Sequence, residues 1–229
     1  MRTLISVLAG LLALSLGLWA QNHDYRPRDT WPYLIEDFTS GAVHTPGGAN
    51  LNDGCYNVSV VDGSLHFVNN GSIMVADMLQ VQYASIGEDM YLNRFGKMEQ
   101  VVAQEGRYVL LRSVLVDMDS LAKTDIGYGV SSATASTQSL NNLGLFGATV
   151  SMGLEAAIAG AKEGNVLPVR VRYHFLLGAR QIDADKTSVL GLPGLDRDAA
   201  KAFFKQEKIK WNRPESLAKV LKFLADNEL

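Results

Sequence analysis

Apolar and polar positions alternate with a period of two over residues 56–76, which read YNVSVVDGSLHFVNNGSIMVA. Two dipeptides interrupt the alternation, Asp62-Gly63 and Asn70-Gly71, and both suit the central positions of a type I′ hairpin turn. Side chains alternate between the two faces of a strand, so two hairpins with these turns would place one apolar set on a common face. The predicted cross-strand pairs are Val60 with Leu65, Val58 with Phe67, Phe67 with Met74, and Leu65 with Ala76.

The alternation continues on both sides of this stretch. Residues 97–118 predict another hairpin with Glu105-Gly106 at its tip, which would bring Glu99 opposite Arg112. Residues 31–116 therefore predict a continuous antiparallel meander of seven or eight short strands, with no crossover helix between them. Later in the chain, apolar residues alternate with Arg and His over residues 169–177, which predicts one more strand before a turn.

The apolar spacing changes to a helical period near the end of the chain. Asp196 is predicted to cap one helix, and Pro214 suits the first turn of a second, so residues 196–227 form a helical hairpin. Both helices have an apolar face, and we expect them to dock on the sheet. The predicted fold class is α+β, in which an antiparallel β-meander forms a roll or open barrel. A Gly/Ser-rich insertion, a late β-hairpin and a C-terminal two-helix hairpin follow it.

Residues 120–166 are rich in Gly, Ser and Ala, and residues 143–161 carry one charge, Glu155. Three interpretations stay open: a glycine-weakened helix or strand pair over the sheet, a flexible flap that binds a partner, or a membrane-contacting segment. The candidate contact residues of the flap are Leu143, Leu145, Phe146, Met152 and Leu154.

The first 20 residues predict the destination of the protein. Arg2 precedes an uncharged apolar run that ends at Ala20 before polar Gln21, as in a secretory signal peptide, with a membrane anchor as the alternative. The predicted parts are a signal peptide (1–20), a β-domain (21–119), the insertion (120–166) and the late hairpin with the helices (167–229). Without its leader the chain carries a net charge of −4, which gives no general attraction to nucleic acid.

The residue types that carry chemistry are scattered along the chain. No two of the four histidines, His23, His44, His66 and His174, share metal-ligand spacing, and no cofactor motif occurs. Cys55 is the only cysteine, and we interpret it as a small buried residue. Asp117, Asp119 and Asp125 only loosely match a calcium loop, because the central Gly and the closing Glu are missing. We therefore predict no catalytic, metal or cofactor-binding residues.

Basic residues suggest one contact surface. Arg170 and Arg172 lie on the same strand face, and further cations follow near the first terminal helix. Such a patch would contact a phosphate, an acidic glycan or anionic lipid headgroups, whereas the alternative is an ordinary solvated face. The candidate residues are Arg170, Arg172, Lys205, Lys208, Lys210 and Arg213.

Several stretches resemble a known group of proteins. PYLIEDFTSGAVH, YNVSVVDGSLHFV, IGEDMYL and GKMEQVV, with the Lys-rich tail from YHFLLGARQIDADKTSVL to PESLAKVLKFL, are similar to exported cell-envelope proteins of Gram-negative bacteria of uncharacterised activity. The resemblance implies a β-meander followed by a helical tail and a place in the cell envelope, and it implies no activity. Asp119-Ser120-Leu121 also matches a short acceptor pattern that some of these bacteria glycosylate, which makes Ser120 a candidate modification site.

The functional expectation follows from export without a catalytic motif. We expect a non-catalytic protein of the periplasm or outer membrane that works by binding another envelope protein, or as an accessory subunit of an assembly. The alternative is a hydrolase of glycans or peptides built on carboxylates. Its candidate residues are Glu88, Asp89, Asp117 and Asp119.

Overall fold

The computed structural model describes residues 32–48, 50–123 and 168–227, with the backbone alone at residues 50–53 and 121–123. Ten antiparallel strands form one curled sheet in the order β10-β9-β8-β7-β6-β5-β1-β2-β3-β4. The strands are β1 (Thr39–His44), β2 (Asn50–Val58), β3 (Leu65–Asn69), β4 (Ser72–Val75), β5 (Tyr83–Ile86), β6 (Asp89–Arg94), β7 (Lys97–Glu105), β8 (Tyr108–Val116), β9 (Val169–Leu177) and β10 (Arg180–Asp183). The helices are α1 (Met118–Lys123), α2 (Lys186–Leu190), α3 (Arg197–Gln206) and α4 (Pro214–Asp226), with a 3₁₀ turn at Met78–Gln80.

Two apolar clusters lie on the same face of the sheet, which is the concave face. One is shared by β7–β10 and the helices, where Leu110 and Phe175 meet Leu217 and Leu221 of α4. The other lies on β1–β7, around Leu65, Ile86 and Tyr91. A smaller cluster of Val109, Leu111 and Leu176 lies on the opposite face of β8 and β9. The helices thus cover one half of the concave face, and the curl of the sheet encloses the other.

The curl is fixed where the turn between β2 and β3 meets the ends of β7 and β8. The Val116 amide donates to the Val60 carbonyl at 2.7 Å, and the Met98 amide donates to the Gly63 carbonyl at 2.8 Å. Gly63 has a φ of +80°, and a Cβ there would lie 3.0 Å from Cβ of Lys97. A glycine is therefore needed at this contact, both for its backbone conformation and for the close approach.

The turn at Asn70-Gly71 is confirmed, but the register of the preceding hairpin differs from the prediction. Phe67 pairs with Met74 as expected, whereas Val58 pairs with Leu65 instead of Phe67. The loop is longer than a two-residue turn, because the Ser59 amide donates to Ser64 and four residues lie between them. The shift is by two residues, so the apolar set keeps its common face.

The third predicted hairpin is also shifted. Gly106-Arg107 forms its tip, Glu105 pairs with Tyr108, and a bulge follows between Val101 and Ala103. Gln100 therefore lies opposite Arg112, and the predicted pair of Glu99 with Arg112 does not form. The bulge adds one residue to β7. Glu99 is therefore turned to the convex face of the sheet, away from the face of Arg112.

The meander has one departure from sequential order. β1 pairs with both β2 and β5, so the chain passes from β4 across to the other side of β1 before it continues. β9 pairs with β8 along its whole length, although about fifty residues separate them in the chain. Its residues 169–177 match the predicted strand.

The terminal helices begin as predicted. The Asp196 side chain accepts from the amides of Asp198 and Ala199, and Pro214 stands in the first turn of α4. Because α4 packs on β7 and β8, the expected docking on the sheet is found. No helix within residues 32–48, 50–123 and 168–227 is long and apolar enough to span a membrane.

Candidate functional site

The two edges of the sheet, β4 and β10, each have backbone groups that pair with no other strand of the described residues. The Ala76 amide donates to Leu65 at 2.8 Å, and antiparallel pairing alternates, so the amides and carbonyls of Ile73 and Val75 face away from β3. In the same way, the Ala184 amide donates to the Tyr173 carbonyl at 2.9 Å. The amides and carbonyls of Gln181 and Asp183 therefore face away from β9. Both edges therefore present two outward amide groups.

The β4 edge is apolar on both faces. Every residue of β4 is exposed, with Ile73 52%, Met74 46% and Val75 62% accessible. Val68 on the adjacent strand and Leu79 beyond it are exposed as well. Five of the seven exposed large apolar side chains in the described residues belong to this region, so it forms a local apolar surface and not a scatter of single residues.

Polar side chains hold the convex side of the β3–β4 hairpin. Nδ1 of His66 lies 3.0 Å from the Tyr33 hydroxyl, and Nε2 lies 3.0 Å from the Ser64 hydroxyl. Ser64 in turn donates its hydroxyl to the Asp62 carboxylate at 2.7 Å. Burial lowers the pKa of His66, and the nearby Asp62 charge only partly opposes this shift. Hydroxyl partners suit a neutral imidazole, so the hairpin is built around an uncharged histidine.

The β10 edge has the opposite character, since Gln181 and Asp183 place polar side chains on the convex face, whereas Ile182 packs against the concave cluster. Nδ1 of His174 lies 3.2 Å from Oε1 of the buried Glu99, and Nε2 lies 3.5 Å from Oδ1 of the exposed Asp183. The first contact is close enough for an ion pair with a protonated ring, but it lacks hydrogen-bond geometry. His174 is therefore placed between two carboxylates that come from different strands.

Gln181 and Arg94 extend this cluster to the surface. The Gln181 side chain donates to Glu99 at 3.5 Å, and Nε of Arg94 donates to the Gln181 oxygen at 2.9 Å. An open pocket of about 580 Å³ lies beside them. Its lining comes from the β6–β7 turn, β9, β10 and α2, and consists of Arg94, Phe95, His174, Ala179, Arg180, Gln181, Ile182, Asp183, Ser188 and Gly191.

Phe95 stands at the rim of this pocket in an unusual conformation. Its φ is +54°, and its side chain is 86% exposed. The guanidinium of Arg94 lies over its ring, 5.2 Å from the centroid. Left-handed backbone is disfavoured for bulky residues, and an exposed aromatic ring gains little from folding, so neither turn geometry nor packing accounts for Phe95.

A row of side chains with polar groups lies where the two apolar clusters of the concave face meet. Tyr91, Gln100, Arg112 and Tyr173 stand side by side on β6–β9. Burial raises the pKa of both tyrosines, and the charge of Arg112 partly opposes the shift. Among the described residues no carboxylate forms an ion pair with Arg112. We assign this row no ligand.

The predicted basic residues do not form one surface. Arg170 and Arg172 point to the convex face of β9, whereas α3 and α4 cover the concave face. Arg170 is also engaged, since its guanidinium contacts Asp117 at 2.7 Å and Asp119 at 2.9 Å. The other four cations are exposed at the end of α3 and in the loop before α4; they are Lys205, Lys208, Lys210 and Arg213.

The carboxylates that a hydrolase would use are also dispersed. Glu88 lies in the β5–β6 turn, Asp89 begins β6, and neither lines the pocket. Desolvation would raise the pKa of Asp117, but hydrogen bonds from Ser120 and the charge of Arg170 outweigh it and lower that pKa. This arrangement describes a structural ion pair that joins β9 to the start of α1.

The remaining predicted residues lie outside both edge strands. Cys55 is exposed, which corrects the interpretation as a buried residue. His44 stacks on Tyr83 with ring centroids 4.1 Å apart. Ser120 lies in α1, and its modification stays a prediction. No group of three metal-ligating side chains occurs within the described ranges. The signal peptide (1–20), His23, Asp125 and the flap residues Leu143, Leu145, Phe146, Met152 and Leu154 lie outside those ranges.

Sequence reasoning missed both edge sites. Nothing in the pattern ranks strands by their place in the sheet, because β4 and β8 are equally apolar runs. Asp183 pairs with His174 in the β9–β10 hairpin, whereas Glu99 is far from both in the chain and approaches them only through the pairing of β7 with β8 and of β8 with β9. One signal was available, since Phe95-Gly96 occupies a turn position where Asn is preferred.

Comparison with known proteins adds no family. No family model, no curated protein and no solved structure matches this chain.

Proposed function

We propose that this protein is a non-catalytic component of the bacterial cell envelope that works by binding another envelope protein. The contact is made at the β4 edge, where an extended segment of the partner adds to the sheet as an eleventh strand. The protein would act in the periplasm or at the outer membrane, as the leader-like residues 1–20 favour. The observation that carries this proposal is an open edge strand with exposed apolar residues on both faces.

The chemistry of the edge favours an added strand. Proteins protect exposed edges with Lys, Pro, bulges or a covering element, because an unprotected edge pairs with other chains. β4 reads Ser-Ile-Met-Val and has none of these features. Its outward amide and carbonyl groups at Ile73 and Val75 offer backbone hydrogen bonds, and its side chains offer apolar contacts on both faces.

The size of the edge favours a different protein over a second copy. A strand of four residues spans about 13 Å. Two such strands paired edge to edge would bury well under the roughly 1,200 Å² that stable specific interfaces bury. A longer partner segment can pass β4 and also contact Val68 and Leu79, which are exposed next to it. The proposed occupant is therefore an uncharged, apolar, extended segment of a larger envelope protein.

Photo-cross-linking in living cells tests this contact. A photoreactive amino acid replaces Met74, whose side chain is 46% exposed and whose backbone groups bond inward to Phe67. The matched control carries the same group at Val171, which is 45% exposed on β9, at the opposite end of the sheet from β4. We expect one discrete adduct from position 74 and none from position 171.

A proline substitution shows whether the contact uses the backbone. Val75→Pro removes an outward amide and leaves the hydrogen bonds to β3 in place, so the protein stays folded. Val75→Thr is the control that keeps the amide. We expect the adduct to disappear in Val75→Pro and to persist in Val75→Thr. Equal adducts at positions 74 and 171, or an adduct that survives Val75→Pro, would contradict strand addition.

A further inference from the structure

The pocket beside β10 has a chemical character that the contact at β4 does not explain. Its lining holds one carboxylate, Asp183, which is directed at His174, and the buried Glu99 contacts the same ring from outside the lining. Within residues 32–48, 50–123 and 168–227, neither Arg94 nor Arg180 forms an ion pair with a carboxylate. The lining therefore combines two guanidinium groups, those of Arg94 and Arg180, with hydrogen-bond acceptors on Asp183 and His174.

Phe95 supplies an apolar platform at the same place. The β3–β4 turn and the β6–β7 turn have nearly the same backbone, with φ of +50° and +76° at Asn70-Gly71 and +54° and +80° at Phe95-Gly96. Asn is the residue that this first position prefers. Phe95 thus replaces a better turn residue, and its exposed ring lies next to the pocket with Arg94 over one face.

From these observations we propose that the pocket binds a saccharide that carries a carboxylate, such as a uronic acid residue of a glycan. Arg94 and Arg180 would hold the carboxylate, because a planar guanidinium matches a carboxylate with two parallel hydrogen bonds. Asp183 and His174 would bind the sugar hydroxyls. The apolar face of the sugar ring would lie on Phe95.

The dimensions of the site agree with this ligand. A volume of about 580 Å³ lies within the range of small-molecule sites and accommodates one or two sugar rings. The network from Arg94 through Gln181 to the buried Glu99 holds the guanidinium in place before the ligand binds. Such preorganisation reduces the entropy that binding would otherwise lose. The inference does not depend on the partner proposed for β4.

Calorimetric titration of the full-length protein with digalacturonate tests the proposal, with cellobiose as the neutral control and acetate and inorganic phosphate as simple anions. We expect saturable binding of digalacturonate that is at least tenfold tighter than that of the other three. Arg180→Gln should weaken it at least tenfold, whereas Lys205→Gln, an exposed cation outside the pocket, should not change it.

Phe95→Asn separates a binding role from a structural one. Asn suits the left-handed backbone, so the melting temperature should stay the same or rise, while the affinity for digalacturonate falls at least threefold. A lower melting temperature with unchanged affinity would show that Phe95 is structural and would contradict its role. No binding at millimolar digalacturonate, or equal binding of phosphate, acetate or cellobiose, would overturn the saccharide site.

Discussion

The two edges of this sheet share one geometry and differ in chemistry. Each is a four-residue strand after a two-residue turn, β4 (Ser72–Val75) at one end and β10 (Arg180–Asp183) at the other. Each points two amides outward. β4 carries Ile, Met and Val, whereas β10 carries Arg, Gln, Ile and Asp and leads directly into α2. Because the backbone is the same, the side chains decide which edge is open to another chain.

A histidine next to each edge repeats the contrast. His66 beside β4 lies between the hydroxyls of Tyr33 and Ser64. His174 beside β10 lies between the carboxylates of Glu99 and Asp183. The first environment suits a neutral ring and stabilises a hairpin, whereas the second places the ring against two carboxylates in the wall of a pocket. The two edges therefore differ in electrostatics as well as in hydrophobicity.

The largest expected effect compares buried and exposed residues of the same hairpin. Leu65 is fully buried, so Leu65→Ala should lower the free energy of unfolding by about 2–5 kcal/mol. Ile73 is exposed, and Ile73→Ala should change it by less than about 0.5 kcal/mol. Denaturant titration measures both. If Ile73→Ala lowered the free energy of unfolding as much as Leu65→Ala, the β4 side chains would stabilise the fold and would not be available to contact a partner.

A smaller effect is expected within the β10 cluster. Glu99 is buried, and Glu99→Ala would leave the Gln181 side chain without its acceptor and His174 with Asp183 as its one carboxylate, at a cost of about 1–3 kcal/mol. Asp183 is mostly exposed, and Asp183→Ala should cost less than about 1 kcal/mol. The same denaturant titration compares them. Equal costs would show that the buried end of this cluster has no special role.

These residues also show what sequence can and cannot predict here. The period-two alternation predicted the strands, and the dipeptide Asn70-Gly71 predicted one turn correctly. Both features depend on local backbone preference. The registers around Asp62-Gly63 and Glu105-Gly106 were wrong, because the longer loop at Gly63 packs against β7 and β8 and because a bulge interrupts β7 between Val101 and Ala103. The pairing of β1 with β5 and the cluster around His174 depend on contacts distant in the chain, which no local pattern contains.

The smallest effect is a pH dependence at the β4 hairpin. The pKa of His66 is lowered in the folded protein, below the ordinary value of 6.5, chiefly by burial. Between the lowered pKa of the folded protein and 6.5, the unfolded chain binds more protons at His66 than the folded one. The contribution of His66 to the free energy of unfolding should therefore be fully present above pH 6.5 and fall as the pH drops below it. His66→Asn should flatten this slope between pH 7 and 5. Thermal melts across that range measure it, and an unchanged slope in the variant would refute the assignment.

The most direct test of the account is amide hydrogen exchange at the two edges, measured on the free protein and on the complex isolated through the cross-link at position 74. The account predicts that the amides of Ile73 and Val75 exchange at least tenfold more slowly in the complex, while those of Gln181 and Asp183 keep their rates. Unchanged exchange at Ile73 and Val75, or equal protection at both edges, would contradict the addition of a partner strand to β4.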